Sequence, residues 1–322
     1  RVIVDLIEVA DPVERAKRAE KLGADFVSVH SAIDMQMRGK VSFGLVREVK
    51  QAVGIPVAAA GGINSENVVD AVKAGADIII AGGAVTKSED ARKAASEIKK
   101  AMLFGRKTAV KFFNRVSEDK EVIKVFRMIT SANASDAMHR HPGLAGIRPV
   151  VAGLKMAGRA VTVRTYPGDW AKPVEAIDAA GPGDCIVIDA GGAGPAVWGE
   201  LATCSAARKK LAGVVIDGAI RDTGEIRKLK FPAFAKMIMP SAGEPKGFGE
   251  INVPVRIGGV TVCPGDYLVG DDDGVFAIPR EKGVEFANRA MDVLEKENRI
   301  RKEITGGGTL ASVMDLLKWE KR

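Results

Sequence analysis

Apolar and polar positions follow two different rhythms along the chain. Over residues 1–102, apolar runs at 2–7, 25–30, 55–60 and 77–81 alternate with amphipathic stretches at 12–22, 41–53, 66–74 and 89–102. A mainly apolar run suits a strand covered on both faces. Its alternation with a helical period predicts βαβ units in a parallel sheet with right-handed crossovers. Residues 103–119 are basic, then polar, without a clear period, and read as a linker. A helix is predicted over 120–130, with Val122, Val125, Phe126 and Ile129 on one face. Strands are predicted over 160–164, 185–189, 214–217 and 234–238, with shorter β pieces at 253–257, 260–263, 267–269 and 275–278. Charged helices at 281–304 and 310–319 close the chain. Both parts therefore read as α/β, with one domain over 1–102 and a second over 120–322.

The chain has 322 residues, which fits two domains. No apolar run reaches the length of a membrane span, and no signal-peptide pattern is visible. The net charge is +7, but most basic residues alternate with acids on helix faces, as solvated surfaces do. The most basic stretch, 106–115, holds Phe112 and Phe113 and could touch RNA. It is short, so nucleic acid is not the expected partner. Cys185, Cys204 and Cys263 lack any C-x-x-C spacing and read as reduced thiols of a cytoplasmic protein. Position 1 is Arg rather than Met, and the chain is read as a fragment or processed product.

Candidate chemistry concentrates between Gly199 and Glu225. A predicted strand at 185–189 leads through Gly191, Gly192 and Gly194 to a helix that opens at Gly199-Glu200. Strand, glycine loop and helix N-terminus together offer N–H groups and the positive dipole end to an anion. The next strand delivers Arg221 and Asp222. Arginine offers a planar fork matched to a carboxylate, and aspartate a hard oxygen for a divalent cation. The pair suits a 2-oxo acid, with the arginine on the carboxylate and the metal polarising the ketone. The same residues also read as a helix start, with Asp222 as N-cap and Glu225 at N3. Both readings stand at this level.

Elsewhere the signals are weaker. Gly61-Gly62 and Gly82-Gly83 follow the last two strands of the first part. They fit either the phosphate site of a (β/α)8 barrel or plain βα turns. Asp5 and His30 end the first two strands, where barrel active sites lie. His139 and His141 precede Pro142 and read as loop residues. Asp271-Asp272-Asp273-Gly274 lacks the alternating ligands of an EF-hand and reads as a hairpin turn.

The segments A-V-W-G-E-L, V-V-I-D-G-A-I-R-D-T-G-E and G-D-D-D-G-V resemble the class II pyruvate aldolases related to the regulator of ribonuclease activity A. That family includes 4-hydroxy-4-methyl-2-oxoglutarate aldolases, which also decarboxylate oxaloacetate. The likeness covers about residues 120–322. It implies a Mg²⁺ or Mn²⁺ ion bound by Asp222, with Glu225 and Glu200 in its outer shell or on bound water. It further implies a pyruvyl group held by Arg221 and the backbone of Gly199, Glu200, Leu201 and Ala202, and assembly into trimers or hexamers. Regulators in the family act by binding an RNA-processing enzyme and lack the acid that Glu225 supplies here. The resemblance therefore favours an enzyme over a non-catalytic regulator.

The segments V-I-V-D-L-I, V-S-V-H-S-A-I-D-M-Q, V-A-A-A-G-G-I and I-I-I-A-G-G-A-V resemble 3-hexulose-6-phosphate synthase of the orotidine-5′-phosphate decarboxylase superfamily. They correspond to its last four βα units, so the whole looks like an archaeal-type fusion. The resemblance implies condensation of formaldehyde with ribulose 5-phosphate, the lyase step of the ribulose monophosphate pathway. Asp5 and His30 would be active-site residues, and Gly61, Gly62, Gly82 and Gly83 would grip the sugar phosphate. The family's D-x-K-x-x-D signature occurs nowhere in the 322 residues, so this half barrel is not expected to catalyse by itself.

Overall fold

In the computed structural model, which describes residues 1–38, 43–86, 88, 90–109 and 115–313, the first rhythm becomes four βα units. The contacts divide the chain into Arg1–Ser117 and Glu118–Arg322. The first unit runs β1 (Ile3–Asp5), α1 (Pro12–Lys21), β2 (Phe26–His30), α2 (Ile33–Met37), α3 (Gly44–Ala52), β3 (Val57–Ala60), α4 (Val68–Lys73), β4 (Ile78–Ile80), α5 (Gly83–Thr86) and α6 (Ala91–Phe104). Its strands are parallel in the order β1-β2-β3-β4, as in half of a (β/α)8 barrel. Val27, Val29, Val57 and Ala59 meet Val46, Val49, Val68 and Ala71 of the covering helices. Helix starts follow the sequence. Asp11 Oδ1 accepts the Glu14 N–H at 3.0 Å with Pro12 at N1, which pre-sets the first turn.

The short helix α2 was not expected, because five residues are too few to show a period. Part of the stretch read as a linker lies against the first unit. Thr108 N–H donates to Ser65 O at 3.2 Å, and Ser65 Oγ donates to Thr108 O at 2.7 Å. The expected helix residues 41–42, 89 and 314–319, and the middle of the basic stretch at 110–114, lie outside the described residues.

The second unit runs α7 (Asp119–Met128), α8 (Ser131–Ala137), β5 (Arg148–Pro149), β6 (Met156–Arg164), α9 (Ala171–Ala179), β7 (Cys185–Asp189), α10 (Glu200–Arg208), β8 (Gly213–Ile220), α11 (Thr223–Leu229), β9 (Ala233–Ile238), β10 (Glu250–Ile251), β11 (Val255–Ile257), β12 (Val260–Val262), β13 (Tyr267–Asp271), β14 (Gly274–Ile278), α12 (Gly283–Thr305) and α13 (Leu310–Val313). Its sheet follows the order β14-β13-β6-β7-β8-β9-β5, with β10 also on β6. Strands β6 to β9 are parallel. The sheet ends approach each other: Leu144 N–H, just before β5, donates to Val275 O of β14 at 2.9 Å. The result is a nearly closed, barrel-like sheet.

Alternation along the parallel strands divides the core. Ile186, Ile188, Val214 and Ile216 face Ile177 of α9, Ala206 of α10 and Ile226 of α11. Cys185, Val187, Val215 and Phe234 face Val255, Val262 and Leu268 on the other side. Strand β8 continues beyond the expected end at 217, through a register shift between Ile216 and Ala219, to Ile220. Arg221 and Asp222 therefore leave directly from a buried strand. Helices α8 and α9 were not anticipated. Helix α8 begins with a capping box between Thr130 and Asn133, and α9 carries Pro173 in its first turn, where a missing N–H costs little.

The acidic turn is a hairpin, with Asp271 paired to Gly274. Asp271 is buried and accepts from Ser131 N at 2.7 Å and Ser131 Oγ at 2.6 Å. It thus anchors the start of α8. Asp271→Ala leaves these donors unpaired, and the expected cost is about 1–3 kcal/mol. Urea unfolding should show that loss, and added calcium should leave the wild-type midpoint unchanged.

Candidate active site

Strands β7 and β8 end side by side, with Asp189 opposite Asp217. The chain leaving β7 turns through Gly191 and Gly192, both at φ 69°, a conformation glycine adopts without strain. Their N–H groups are already used. Gly191 donates to Asp189 Oδ1 at 3.1 Å, and Gly192 to Asp217 O at 3.0 Å. These two glycine donors are therefore not available to a ligand.

Residues 196–199 then run beside the end of β8. Val197 N–H donates to Ala219 O at 3.1 Å and Arg221 N–H to Trp198 O at 3.0 Å. This parallel approach brings Gly199 against Asp222. A Cβ on Gly199 would stand 2.6 Å from Asp222 Oδ2, so a side chain there would displace the carboxylate. Asp222 has φ 56°, unusual for a residue with a side chain. It occupies the N-cap position of α11 but makes no side-chain cap there. Its Oδ2 instead accepts the N–H of Glu200, the first residue of α10, at 3.1 Å. Arg221 Nε lies 3.5 Å from the same oxygen. The N-cap reading of the sequence is thus half met: Asp222 caps a helix, but the neighbouring one.

Among the described residues, the N–H groups of Leu201 and Ala202 have no acceptor in the chain. They point out of the first turn of α10, where the helix dipole favours an anion. Leu201 itself is 79% exposed. Glu200 Oε1 accepts from Cys204 Sγ at 3.0 Å, and that bond raises the thiol pKa. Gly199, Glu200, Leu201, Ala202, Arg221 and Asp222 are therefore one neighbourhood. Glu225, in the first turn of α11, has its Oε1 on Lys228 Nζ at 2.7 Å. Among the described residues no three His, Cys, Asp or Glu side chains cluster in a way that could hold a metal.

In the first unit, His30 Nδ1 lies 3.0 Å from Asp5 Oδ2, joining the two strand-end residues. Gly61 and Gly62 lie against Gln36, which is buried and donates to Ser31 O at 2.7 Å. Gly82 O accepts from the Val85 and Thr86 N–H groups, and Gly83 opens α5.

Three features of the second unit carry no local sequence signal. One is the row Asp189, Asp217 and Lys236 on adjacent strands. Lys236 Nζ sits 3.2 Å from Asp217 Oδ1, an ion pair without a well-aligned hydrogen bond. Another is the bond from Trp198 Nε1 to Thr203 Oγ1, 2.8 Å long and buried. The last is a cleft of about 540 Å³ lined by Tyr166, Asp169, Pro195, Glu244, Lys246 and Phe248, among others. Pro195 ties this cleft to the segment that ends at Gly199. Asp169 organises it by accepting from the N–H groups of Ala171, Lys246, Gly247 and Phe248. Burial alone would raise the Asp169 pKa, but these four backbone donors outweigh it and hold the carboxyl below its ordinary value.

Comparison with known proteins places both units. Residues 131–277 match the RraA-like family model, described as Aldolase/RraA. Residues 4–123 match a model described as histidine biosynthesis protein. A putative 4-hydroxy-4-methyl-2-oxoglutarate aldolase of Halalkalibacterium halodurans is 40% identical over 162 residues, covering 50% of this chain and 77% of that protein. The 3-hexulose-6-phosphate synthase of Bacillus subtilis is 34% identical over 106 residues, 33% of this chain, and the chain spans 50% of its length. Among solved structures, Streptomyces coelicolor RraAS2, an unusual member of the RNase ES inhibitor RraA family, superposes with a TM-score of 0.52. It shares 29% identity, with coverage of 57% of this chain and 98% of its own.

The Asp169 clamp has a pH signature. Folding lowers this pKa, so its stabilisation is complete above the unfolded value of about 3.9 and drains away as pH falls through the lower folded value. Asp169→Asn should be less stable than wild type at pH 7, and the gap should narrow at pH 3. Urea midpoints at the two pH values measure it.

Proposed function

Because the chain belongs, through residues 131–277, to the Aldolase/RraA family, we propose that its second unit is a divalent-metal-dependent lyase that cleaves or decarboxylates 2-oxo acids through a pyruvate enolate. The observation that carries this reading is the turn of Asp222 away from its own helix, onto Glu200 N and beside Arg221. The site fits a cation that keeps most of its water. Asp222 Oδ1 has no protein partner among the described residues, and the side chain is 41% exposed. Mg²⁺ is commonly held by one or two carboxylates with several waters. Mg²⁺ or Mn²⁺ on Asp222 would supply Lewis-acid stabilisation of negative charge on the substrate.

The chain's own groups do the rest. The guanidinium of Arg221 and the N–H groups of Leu201 and Ala202 bind the pyruvyl end and fix its orientation. Glu200, held through one oxygen by Cys204, keeps the other free to hold or deliver a proton through water. Glu225 contributes at longer range, from the first turn of α11. The cleft beside Pro195 accommodates the remainder of the substrate, with Lys246 available to a second carboxylate. A cytoplasmic home is part of the same proposal.

The likeness to an RNase inhibitor family supports a second reading, in which the unit acts by binding a ribonuclease. For the first unit, the Asp5–His30 pair and the glycine pairs support a sugar-phosphate-binding half of a hexulose-phosphate synthase, acting on formaldehyde and ribulose 5-phosphate.

Oxaloacetate decarboxylation, with and without chelator, separates the two readings of the second unit. Wild type should show a metal-dependent rate above the free-metal background. Arg221→Lys should lose about a hundredfold or more, because an ammonium cannot reproduce the two-pronged contact. Asp222→Ala should abolish metal-dependent turnover while destabilising the fold by only about 0.5–2 kcal/mol, the worth of a helix cap. A wild type without metal-dependent turnover leaves the regulator reading in possession. Assembly is a further expectation. Leu201 and Ile238 are 79% and 62% exposed and flank the site, as apolar residues do where subunits meet. Light scattering should give a trimer or hexamer, and a stable monomer at micromolar concentration would exclude that assembly.

A further inference from the structure

We infer that Trp198 and Thr203 are positioning residues that set the width of the slot between Arg221 and the open N–H pair of α10. This rests on the functional reading above, in which that slot holds the pyruvyl group. Its two walls belong to different elements. Arg221 follows β8, whereas Leu201 and Ala202 lie in the first turn of α10. Trp198 bonds to Arg221 and to Thr203, the residue after Ala202. Its carbonyl accepts the Arg221 N–H at 3.0 Å, and its indole N–H donates to Thr203 Oγ1 at 2.8 Å. Thr203 Oγ1 in turn donates to Gly199 O at 2.9 Å. The hydroxyl has one proton, so donating to Gly199 and accepting from the indole fixes its direction.

Both side chains are buried, Trp198 at 3% and Thr203 at 0% exposure. A threonine that bonds back to the carbonyl four residues earlier tends to strain its helix slightly. Here that carbonyl is Gly199 O, which also accepts the Thr203 N–H at 3.1 Å. The first turn of α10 is thereby clamped to Trp198, and Trp198 to Arg221. Asp222 fixes the same turn separately, through Glu200 N. The metal carboxylate and the slot width thus depend on different contacts, and they should respond separately to mutation.

The test compares wild type, Thr203→Val, Thr203→Ser and Trp198→Phe as full chains with Mn²⁺. Pyruvate affinity is measured by calorimetry, Mn²⁺ affinity by electron paramagnetic resonance, and KM and kcat for oxaloacetate by rate assay. Thr203→Val should weaken pyruvate binding and raise KM by about ten- to a hundredfold, the scale of a small misplacement, with Mn²⁺ affinity unchanged. Thr203→Ser should restore both. Trp198→Phe keeps the Thr203–Gly199 bond and should fall between. If Thr203→Val does not fold, the serine and phenylalanine variants decide. Unchanged pyruvate affinity in Trp198→Phe and Thr203→Val overturns the inference alone. Parallel loss of Mn²⁺, pyruvate and thermal stability reduces the pair to a purely structural role and also overturns it. A wild type that binds Mn²⁺ but no pyruvate overturns the functional reading as well.

Discussion

The candidate site depends on one close approach, that of Gly199 to the carboxylate of Asp222. A Cβ at position 199 would stand 2.6 Å from Asp222 Oδ2, so the carboxylate keeps its place only because this residue is glycine. That contact lets Asp222 Oδ2 reach Glu200 N. A helix that begins with glycine has no side chain of its own to cap it, and an unmet N–H in its first turn needs an acceptor. Asp222 fills that need from outside the helix. The N–H groups of Leu201 and Ala202 in the same turn remain open, and Arg221 Nε lies 3.5 Å from the carboxylate that caps that turn. A single steric allowance thus produces the cap and the carboxylate orientation together.

The opposite face of the sheet supplies the support. Asp189, Asp217 and Lys236 stand where the apolar alternation of β7, β8 and β9 reaches the strand ends. Asp217 is buried; its Oδ2 accepts from Gly258 N at 3.2 Å, and its Oδ1 faces Lys236 Nζ at 3.2 Å as an ion pair without a hydrogen bond. Its carbonyl holds both Ala190 N and Gly192 N at 3.0 Å. The loop that carries the chain from β7 to Gly199 is therefore pinned from beneath. Replacing either member of such a partly buried pair alone would strand a charge, which costs more than losing the pair. The polar row is best understood as the footing of the loop.

The two units solve the edge problem differently. The second brings its sheet ends together through Leu144 and Val275, leaving little open edge. The first keeps β1 and β4 as edges, with Ile3 and Ile80 both 43% or more exposed. The chain spans half the length of its Bacillus subtilis relative.

Much of this is legible in the amino-acid sequence. Apolar runs and helical periods are local patterns, and they reported the βα units of the first part and the parallel strands of the second. The Asp-Gly hairpin at 273–274 and the arrival of Arg221 and Asp222 at a strand end also depend only on near neighbours. The helix that Asp222 caps was not legible, because its N-cap position and its actual partner are 22 residues apart. Nor was the spent state of the Gly191 and Gly192 donors, which follows from the register of β7 on β8. The Trp198–Thr203 clamp needs the buried side of α10, and the cleft needs loops up to 79 residues apart, gathered by Asp169. Sequence by itself determined which elements form and which residues could act. Tertiary structure decided which of them meet, because register, a bulge after Ile216 and one missing Cβ are set by packing between distant strands and leave no local trace.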